Sequence, residues 1–331
     1  KQWMRLLHKL SLFSSKKSRT ALASHNVLAN VPRRPSKTSK AGLIPYIFLA
    51  PGFIIFLVMI IFPMARALQI SFYHWGVFPG STTTFVGLHQ YVREFHDPVF
   101  WRALENSAFY TVFTVPFQII FGLAVALLLV RKIPGRGLFR ALFYIPVVTS
   151  WVVVSLLFKF LFSTDAGFVN WLLRSVHLAS HNIGWLDTRW PSMITIGILG
   201  IWKGVGWSML IFLAALMGVP ETLTEAAAID GAGPWRTFIS VTLPSIRLTL
   251  SFVTIMLVIG SLNVFTSAYI MTGGGPQQQT EVVLSYMYHQ AFVFLDFGYG
   301  SALAFTLTLI VFAISFVQMR LFRGGVSRVI R

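Results

Sequence analysis

The sequence predicts an all-α polytopic membrane protein with about six transmembrane helices. Three observations carry that prediction. Of 331 residues, 55% are hydrophobic and 11% charged, against about 25% charged in an ordinary soluble domain. Six apolar segments, at 43–65, 108–130, 141–162, 193–217, 248–271 and 301–321, each approach the ~20 residues that cross a ~30 Å hydrocarbon core. Lys and Arg, finally, are divided unequally between alternate connections, and such a bias sets the orientation of a membrane chain.

The charge bias begins at the N-terminus. Residues 1–40 carry ten Lys or Arg and no acid. Trp3, Leu6, Leu7, Leu10 and Phe13 recur at helical spacing with Arg5 and Lys9 between them. Residues 3–13 therefore read either as an amphipathic helix on an anionic lipid surface or as part of a disordered basic leader. With the leader inside, twenty basic residues fall on the inner side. Only four (Arg93, Arg102, Arg174, Arg189) fall in outer connections, with Arg66 at the edge. Both termini and residues 221–244 are then expected on the cytoplasmic face. The net charge of +17 follows from this placement and gives no reason to expect nucleic acid.

Within the spans the informative residues are the misfits. Pro116 and Pro146 fall inside spans two and three, where each removes a backbone donor and should kink its helix, either as a hinge or only to shape packing. Lys203, in the run Trp202-Lys203-Gly204-Val205-Gly206-Trp207, sits about ten residues from either end of span four, too deep to snorkel. Its charge should face the bundle interior or a wet cavity, pairing with a carbonyl or a neighbouring subunit, or meeting substrate. Span five concentrates Ser261, Asn263, Thr266, Ser267 and Tyr269 in one half, either lining a cavity or bonding between helices. In a continuous helix Asn263 and Ser267 share a face and Phe265 points elsewhere.

Several chemistries are excluded. There is no cysteine, hence no disulfide or thiol chemistry. No HExxH, GxSxG or Walker A string occurs. His177 and His181 could share a helix face but lack a third ligand, so no metal site is expected. All ten acids fall in connections, three in the central loop and seven on the outer side. A proton- or sodium-coupled transporter needs buried carboxylates or an unwound ion site, so a secondary transporter is disfavoured.

The central loop, ETLTEAAAIDGAGPWRTFISVTLP at 221–244, is polar and coded for helix. Thr222 and Glu225 have capping-box spacing, Ala226 to Ala228 propagate a helix, and Gly231 suits its left-handed stop. Gly233-Pro234 restarts the chain, and Pro244 is expected to close or kink the second short helix.

This string resembles the EAA loop of permease subunits in binding-protein-dependent ABC importers. Glu225-Ala226-Ala227, Asp230-Gly231 and Leu243-Pro244 carry the likeness, with Val241 where the family usually has Ile. The W-K run of span four and the sequence Thr272-Gly273-Gly274-Gly275-Pro276 are similar to the family's segments. So is the order of Gly87, Tyr91, Asp97, Pro98, Trp101, Leu104 and Asn106 in the first outer connection, which itself reads as an interfacial helix. Tyr286, Tyr288, Phe292, Asp296 and Gly298 again follow the family before its last span.

The resemblance covers roughly residues 43–322 and is closest in layout to the larger maltose-type permeases of the carbohydrate-uptake branch. It implies a transmembrane domain at 41–322 with its coupling loop at 218–247, between the basic leader 1–40 and a basic tail 323–331. It also implies a bacterial inner-membrane location, a second homologous permease chain as a heterodimer partner, two cytoplasmic ATPase subunits and an external solute-binding protein. ATP and Mg would be bound by the ATPases, and this chain would hold no cofactor and hydrolyse nothing. Glu225 then has two candidate tasks, its own capping box and a basic group on the ATPase. The implied substrate is a di- or oligosaccharide, with glycerol phosphate or another polar solute as the alternative. Asn263, Ser267, Phe265, Tyr269, Lys203 and Trp207 are the candidate pathway residues, because sugars need amide and hydroxyl hydrogen bonds and aromatic faces.

Overall fold

The structure, a computed structural model, describes residues 44–323 save Pro79 and Lys132. The leader at 1–40 with its helix over 3–13, and the tail beyond Arg323, lie outside the described residues. The chain divides at Pro63 into two units. In the first, α1 (Ile44–Phe56) leads into a π-helical turn (Leu57–Ile61), apolar throughout. Helix α2 (Phe62–Ile70) follows, and Pro45–Ile70 is long and apolar enough to cross a membrane.

The second unit begins at Met64 within α2, and a two-strand hairpin follows, β1 (Tyr73–His74) against β2 (Thr84–Phe85), antiparallel with Tyr73 opposite Phe85. A short helix α3 (His89–His96) precedes the long α4 (Pro98–Val130). Then come α5 (Arg136–Val148), α6 (Trp151–Leu161), α7 (Phe168–Ser175) and α8 (Arg189–Met217). The loop helices α9 (Glu221–Ile229), α10 (Pro234–Thr237) and α11 (Leu243–Ser245) lead to α12 (Arg247–Leu262) and α13 (Thr266–Met271). Helices α14 (Val283–Tyr288) and α15 (Phe297–Arg323) complete the unit.

Among the described residues five helical runs can each cross a membrane, and a sixth if α5 and α6 count as one bent span. Three expectations are corrected. Span two starts at Pro98 rather than near 108, because Asp97 accepts the Val99 N–H at 2.8 Å as an N-cap and Pro98 suits the first helical position. Only His89–His96 of the first connection is thus a separate helix, and Glu105 lies inside a span helix, near its start. Spans three and five are broken. By contrast α4 runs through Pro116 without interruption.

Helices α4 and α8 run parallel, in contact along much of their length. A Cβ on Gly200 would stand 2.2 Å from the Tyr110 hydroxyl, and one on Gly204 2.2 Å from Gln118 Oε1. A side chain at either position would push Tyr110 or Gln118 aside, and lipid supplies no hydrophobic drive to replace the close packing lost. At the Arg189 end Tyr110, Met193 and Ile196 pack with Val264, Ala268 and Met271 of the broken fifth span. At the opposite end, Ala126, Met209, Phe212 and Leu216 enclose Ile246 and Val253. The first of these cores, which includes Val154 just past the bend in span three and Val264 in the break of span five, packs beside both breaks.

Candidate functional site

Helix α5 ends at Val148, where Thr149 and Ser150 turn extended, and α6 departs at 93°. In a continuing helix the Ser150 N–H would satisfy the Pro146 carbonyl. Here Thr149 Oγ1 donates to that carbonyl at 2.6 Å and Lys203 Nζ at 2.7 Å. The same ammonium donates to the Thr149 carbonyl at 2.6 Å and more weakly to Val147 at 3.3 Å. An ammonium has three protons, so three carbonyls occupy it fully. Lys203, 4% exposed, thereby places its charge at the negative end of the α5 dipole. Its Nζ also lies 4.9 Å from the Trp151 ring centre.

The second break lies in span five. Helix α12 stops at Leu262, Phe265 takes φ −140° and ψ −66°, and α13 restarts at Thr266. Asn263 Nδ2 donates to the Ile259 carbonyl at 2.7 Å. Ser261 Oγ donates to Thr111 Oγ1 at 3.0 Å. The Ser267 hydroxyl is buried with no partner.

Between the two breaks is a cavity of about 490 Å³. Helix α4 contributes Tyr110 and Gln118, the first break Val147 and Trp151, α8 Lys203 and Trp207, and the second break Asn263 through Ser267. Irregular backbone at membrane depth is tolerated where it lines a cavity, and both breaks do. Of the expected pathway residues, Lys203, Trp207, Asn263, Phe265 and Ser267 therefore come together. Phe265 does not point away from Asn263 and Ser267, because the break interrupts the helical phase on which that expectation rested. Tyr269 is not in the lining: it stacks behind Phe265 at 5.3 Å and meets Tyr288 edge-on at 5.1 Å.

At the far end the loop is built as two short helices. Helix α9 begins at Glu221 with Pro220 as its N-cap and no side-chain cap. The expected box of Thr222 with Glu225 does not form, because Thr222 already lies within the first turn. Gly231 takes φ +75°. Ala232 N–H bonds the Ala227 carbonyl at 2.9 Å and Gly231 N–H that of Ala228 at 3.1 Å, the paired closure of a Schellman stop. The second helix does not end at Pro244. A π-helical turn (Phe238–Thr242) shifts the bonding register just before it, and helical backbone continues to Ser245. Ile246, 2% exposed, anchors the loop in the core. Glu225, Ala226, Asp230 and Gly231 stay exposed, beside Ile229 at 87% and Trp235 at 72%.

The Arg189 end carries a polar network. Asn106 Nδ2 donates to the carbonyls of Gln279 at 2.9 Å and Glu281 at 2.7 Å, and Arg189 Nε donates to Asn106 Oδ1 at 2.9 Å. Arg189 also pairs with Glu105 at 2.5 Å. Asp97 accepts from the hydroxyls of Tyr286 and Tyr299. Buried Glu281 accepts from Ser285 and lies 2.6 Å from His289 Nδ1. Glu94, fully buried, accepts from Thr306 Oγ1 at 2.9 Å through one oxygen only. Burial pushes its carboxyl up to about 7, the Asp97 charge adds to this, and the Thr306 hydrogen bond opposes it. Among the described residues no three His, Asp or Glu side chains gather as metal ligands.

Residues 118–329 match the family described as binding-protein-dependent transport system inner membrane component. The chain belongs to that family. The permease is 35% identical over 286 residues to the probable ABC transporter permease protein YurN of Bacillus subtilis, covering 86% of this chain and 97% of that one. It is 35% identical over 277 residues to the lactose transport system permease protein LacF of Rhizobium radiobacter, covering 82% and 92%. Against the arabinooligosaccharides transport system permease protein AraP of Halalkalibacterium halodurans it is 34% identical over 282 residues, covering 84% and 87%. The crystal structure of a bacterial ABC transporter involved in the import of the acidic polysaccharide alginate shares the fold, with a TM-score of 0.75, 23% identity, and 85% and 96% coverage.

Of the residues lining the permease's cavity, Lys203, Trp207, Asn263, Phe265 and Ser267 stood among the expected pathway residues, whereas Gln118, Tyr110 and Trp151 did not. Gln118 could have been found, being an amide inside an apolar span. The network at the Arg189 end was also missed as a unit, although Asp97, Asn106 and Tyr286 all stood among the residues that carried the family likeness. They lie about 190 residues apart in two segments, and sequence order alone does not pair them.

Proposed function

We propose that this permease forms the translocation pathway of an ATP-driven importer for a di- or oligosaccharide. The cavity between the two helix breaks carries the reading: amide and hydroxyl groups (Gln118, Asn263, Ser267) converge there with the faces of Trp151, Trp207 and Phe265. Sugars are recognised by that combination, directed hydrogen bonds plus an apolar ring face. Relatives named for lactose and arabinooligosaccharide transport support the substrate class. Lys203 favours a neutral ligand over glycerol phosphate, because its ammonium already serves three carbonyls. Substrate handling, in this reading, falls to the uncharged groups.

Energy enters through the loop. Helix α9 is exposed, stopped at Gly231 and rooted by Ile246, so it can act as a rigid handle for a cytoplasmic ATPase. Glu225, free of a capping box, is available to a basic group there, with Ala226, Ala227 and Asp230 forming the rest of the contact. Leu243 and Pro244 stiffen the return to α12. ATP and Mg belong to two ATPase subunits, and this chain hydrolyses nothing. A second homologous permease closes the other side of the cavity, and an external solute-binding protein delivers substrate to the Arg189 end. Both termini, the 1–40 leader and the 323–331 tail are cytoplasmic, flanking the 41–322 transmembrane domain in the bacterial inner membrane. Counterflow-free uptake in proteoliposomes tests the scheme: sugar accumulation should require the ATPase partners and internal-face ATP. Accumulation driven by a proton gradient alone would overturn it.

A further inference from the structure

We propose that His289 is a positioning residue for the cavity: anchored by Glu281 in the connection before the last span, it holds the aromatic stack that fixes Phe265 in the break of span five. The consequence for transport rests on the pathway proposed above. The contacts themselves are the same whichever solute the cavity takes.

The anchor is a buried carboxylate. Glu281 is 1% exposed, and its Oε2 accepts from the Ser285 hydroxyl. Its Oε1 lies 2.6 Å from His289 Nδ1. An ionised carboxylate only accepts, so the imidazole donates through Nδ1, and that bond sets the orientation of the ring. Glu281 is itself held from two sides. Asn106 of α4 donates to its carbonyl at 2.7 Å. Gly274, at φ +83°, comes so near that a Cβ there would stand 2.2 Å from Oε1.

From His289 the contacts run to the cavity wall. Its ring centre lies 5.6 Å from that of Tyr269, with the planes at 48°. Tyr269 stacks on Phe265 at 5.3 Å and 20°. Tyr288 closes the group, 5.4 Å from Phe265 and 5.1 Å from Tyr269. Phe265 lines the cavity, yet its backbone, at φ −140° and ψ −66°, belongs to neither α12 nor α13. Within a helix the backbone restricts where a side chain points; in the break that restriction is lifted, and the stack supplies it. Phenylalanine at position 289 would offer the ring without the tether, and glutamine the tether without the ring. Histidine combines both.

The chain has no cysteine, so Ser267→Cys, at a cavity position 1% exposed, reports the state of the break through its rate of reaction with a hydrophilic thiosulfonate. The full-length chain is labelled in its native assembly, and its own peptide is followed by mass. His289→Gln keeps a donor for Glu281, which spares the fold, and removes the ring. It should speed labelling at position 267 by about three- to tenfold, the worth of one aromatic pair. Tyr269→Leu should do the same and add little when combined with His289→Gln, because both cut one line of contact. Ser192→Cys, equally buried at the start of α8, should label at an unchanged rate throughout. Unchanged labelling at 267 in His289→Gln, additive effects of the two substitutions, or equal acceleration at 192 overturns the proposal. Labelling that behaves as expected in a protein that accumulates no sugar would overturn the sugar pathway and leave the role of His289 standing.

Discussion

Lys203 and Thr149 meet at 2.6 Å, ammonium to carbonyl, across the point where α5 turns into α6. The charge in mid-membrane is therefore a brace for the 93° bend, and the bend forms one wall of the cavity. Lys203→Met removes a donor from three carbonyls in an apolar setting; that of Pro146 keeps the Thr149 hydroxyl, while those of Val147 and Thr149 lose their Lys203 donor, at about 1–3 kcal/mol for each group left buried and unsatisfied. We expect a clear loss of thermal stability and a collapse of the maximal uptake rate. Lys203→Arg, which keeps the donors, should retain part of both. A Lys203→Met protein of unchanged melting temperature would remove the brace.

Gly231 holds φ +75° with no atom within 4 Å of where a Cβ would stand, so backbone conformation alone demands glycine there. Gly231→Ala should cost about 1 kcal/mol locally and loosen the α9 handle. Gly231→Pro also deletes the N–H that bonds Ala228 and should abolish uptake. Glu225→Lys should uncouple ATP hydrolysis from transport while leaving membrane insertion intact. Normal ATPase stimulation and uptake in both Gly231→Pro and Glu225→Lys would detach the loop from coupling.

Asn263 lies at the second break and presents its amide to the cavity. Asn263→Ala should raise the substrate concentration for half-maximal uptake roughly tenfold, about the 1.4 kcal/mol of one good hydrogen bond, without loss of assembly. Ser267→Ala, which removes a hydroxyl with no internal partner, should lower affinity while leaving stability untouched. Unchanged affinity in both variants would assign these groups to packing.

Glu94 makes stability depend on pH. Its carboxyl is raised from 4.5 to about 7 in the folded chain, so the native state holds a proton that the unfolded state releases. The stabilisation is complete below about 4.5 and fades as pH rises through 7, by about 1 kcal/mol per pH unit within that window. Melting temperature measured from pH 5 to 8 should fall, and Glu94→Gln should flatten the curve. A slope that survives the substitution would place the titration elsewhere.

Much of this protein was legible before folding. Apolar length locates the spans because a bilayer core has a fixed thickness, and the loop at 221–244 declares itself because helix stops and restarts are local chemistry. Gly231 took the predicted left-handed turn for that reason. The capping box failed on an equally local point, a start two residues earlier, with Pro220 rather than Thr222 as the N-cap.

What only tertiary structure decided is where helices break and which distant groups share a space. Pro146 marks a weak point in span three, but the carbonyls freed at Thr149 are tolerable only because Lys203, 54 residues later, arrives to satisfy them. Asn263 and Phe265 line one cavity because both lie in the break between α12 and α13, which cancels the periodicity that separates them in a continuous helix. Burial of Glu94 likewise required Thr306, 212 residues away. Periodicity and capping act within a few residues, so the sequence alone determined the spans and the loop. Satisfying a buried polar group is a problem for the whole bundle, and the bundle alone determined the cavity.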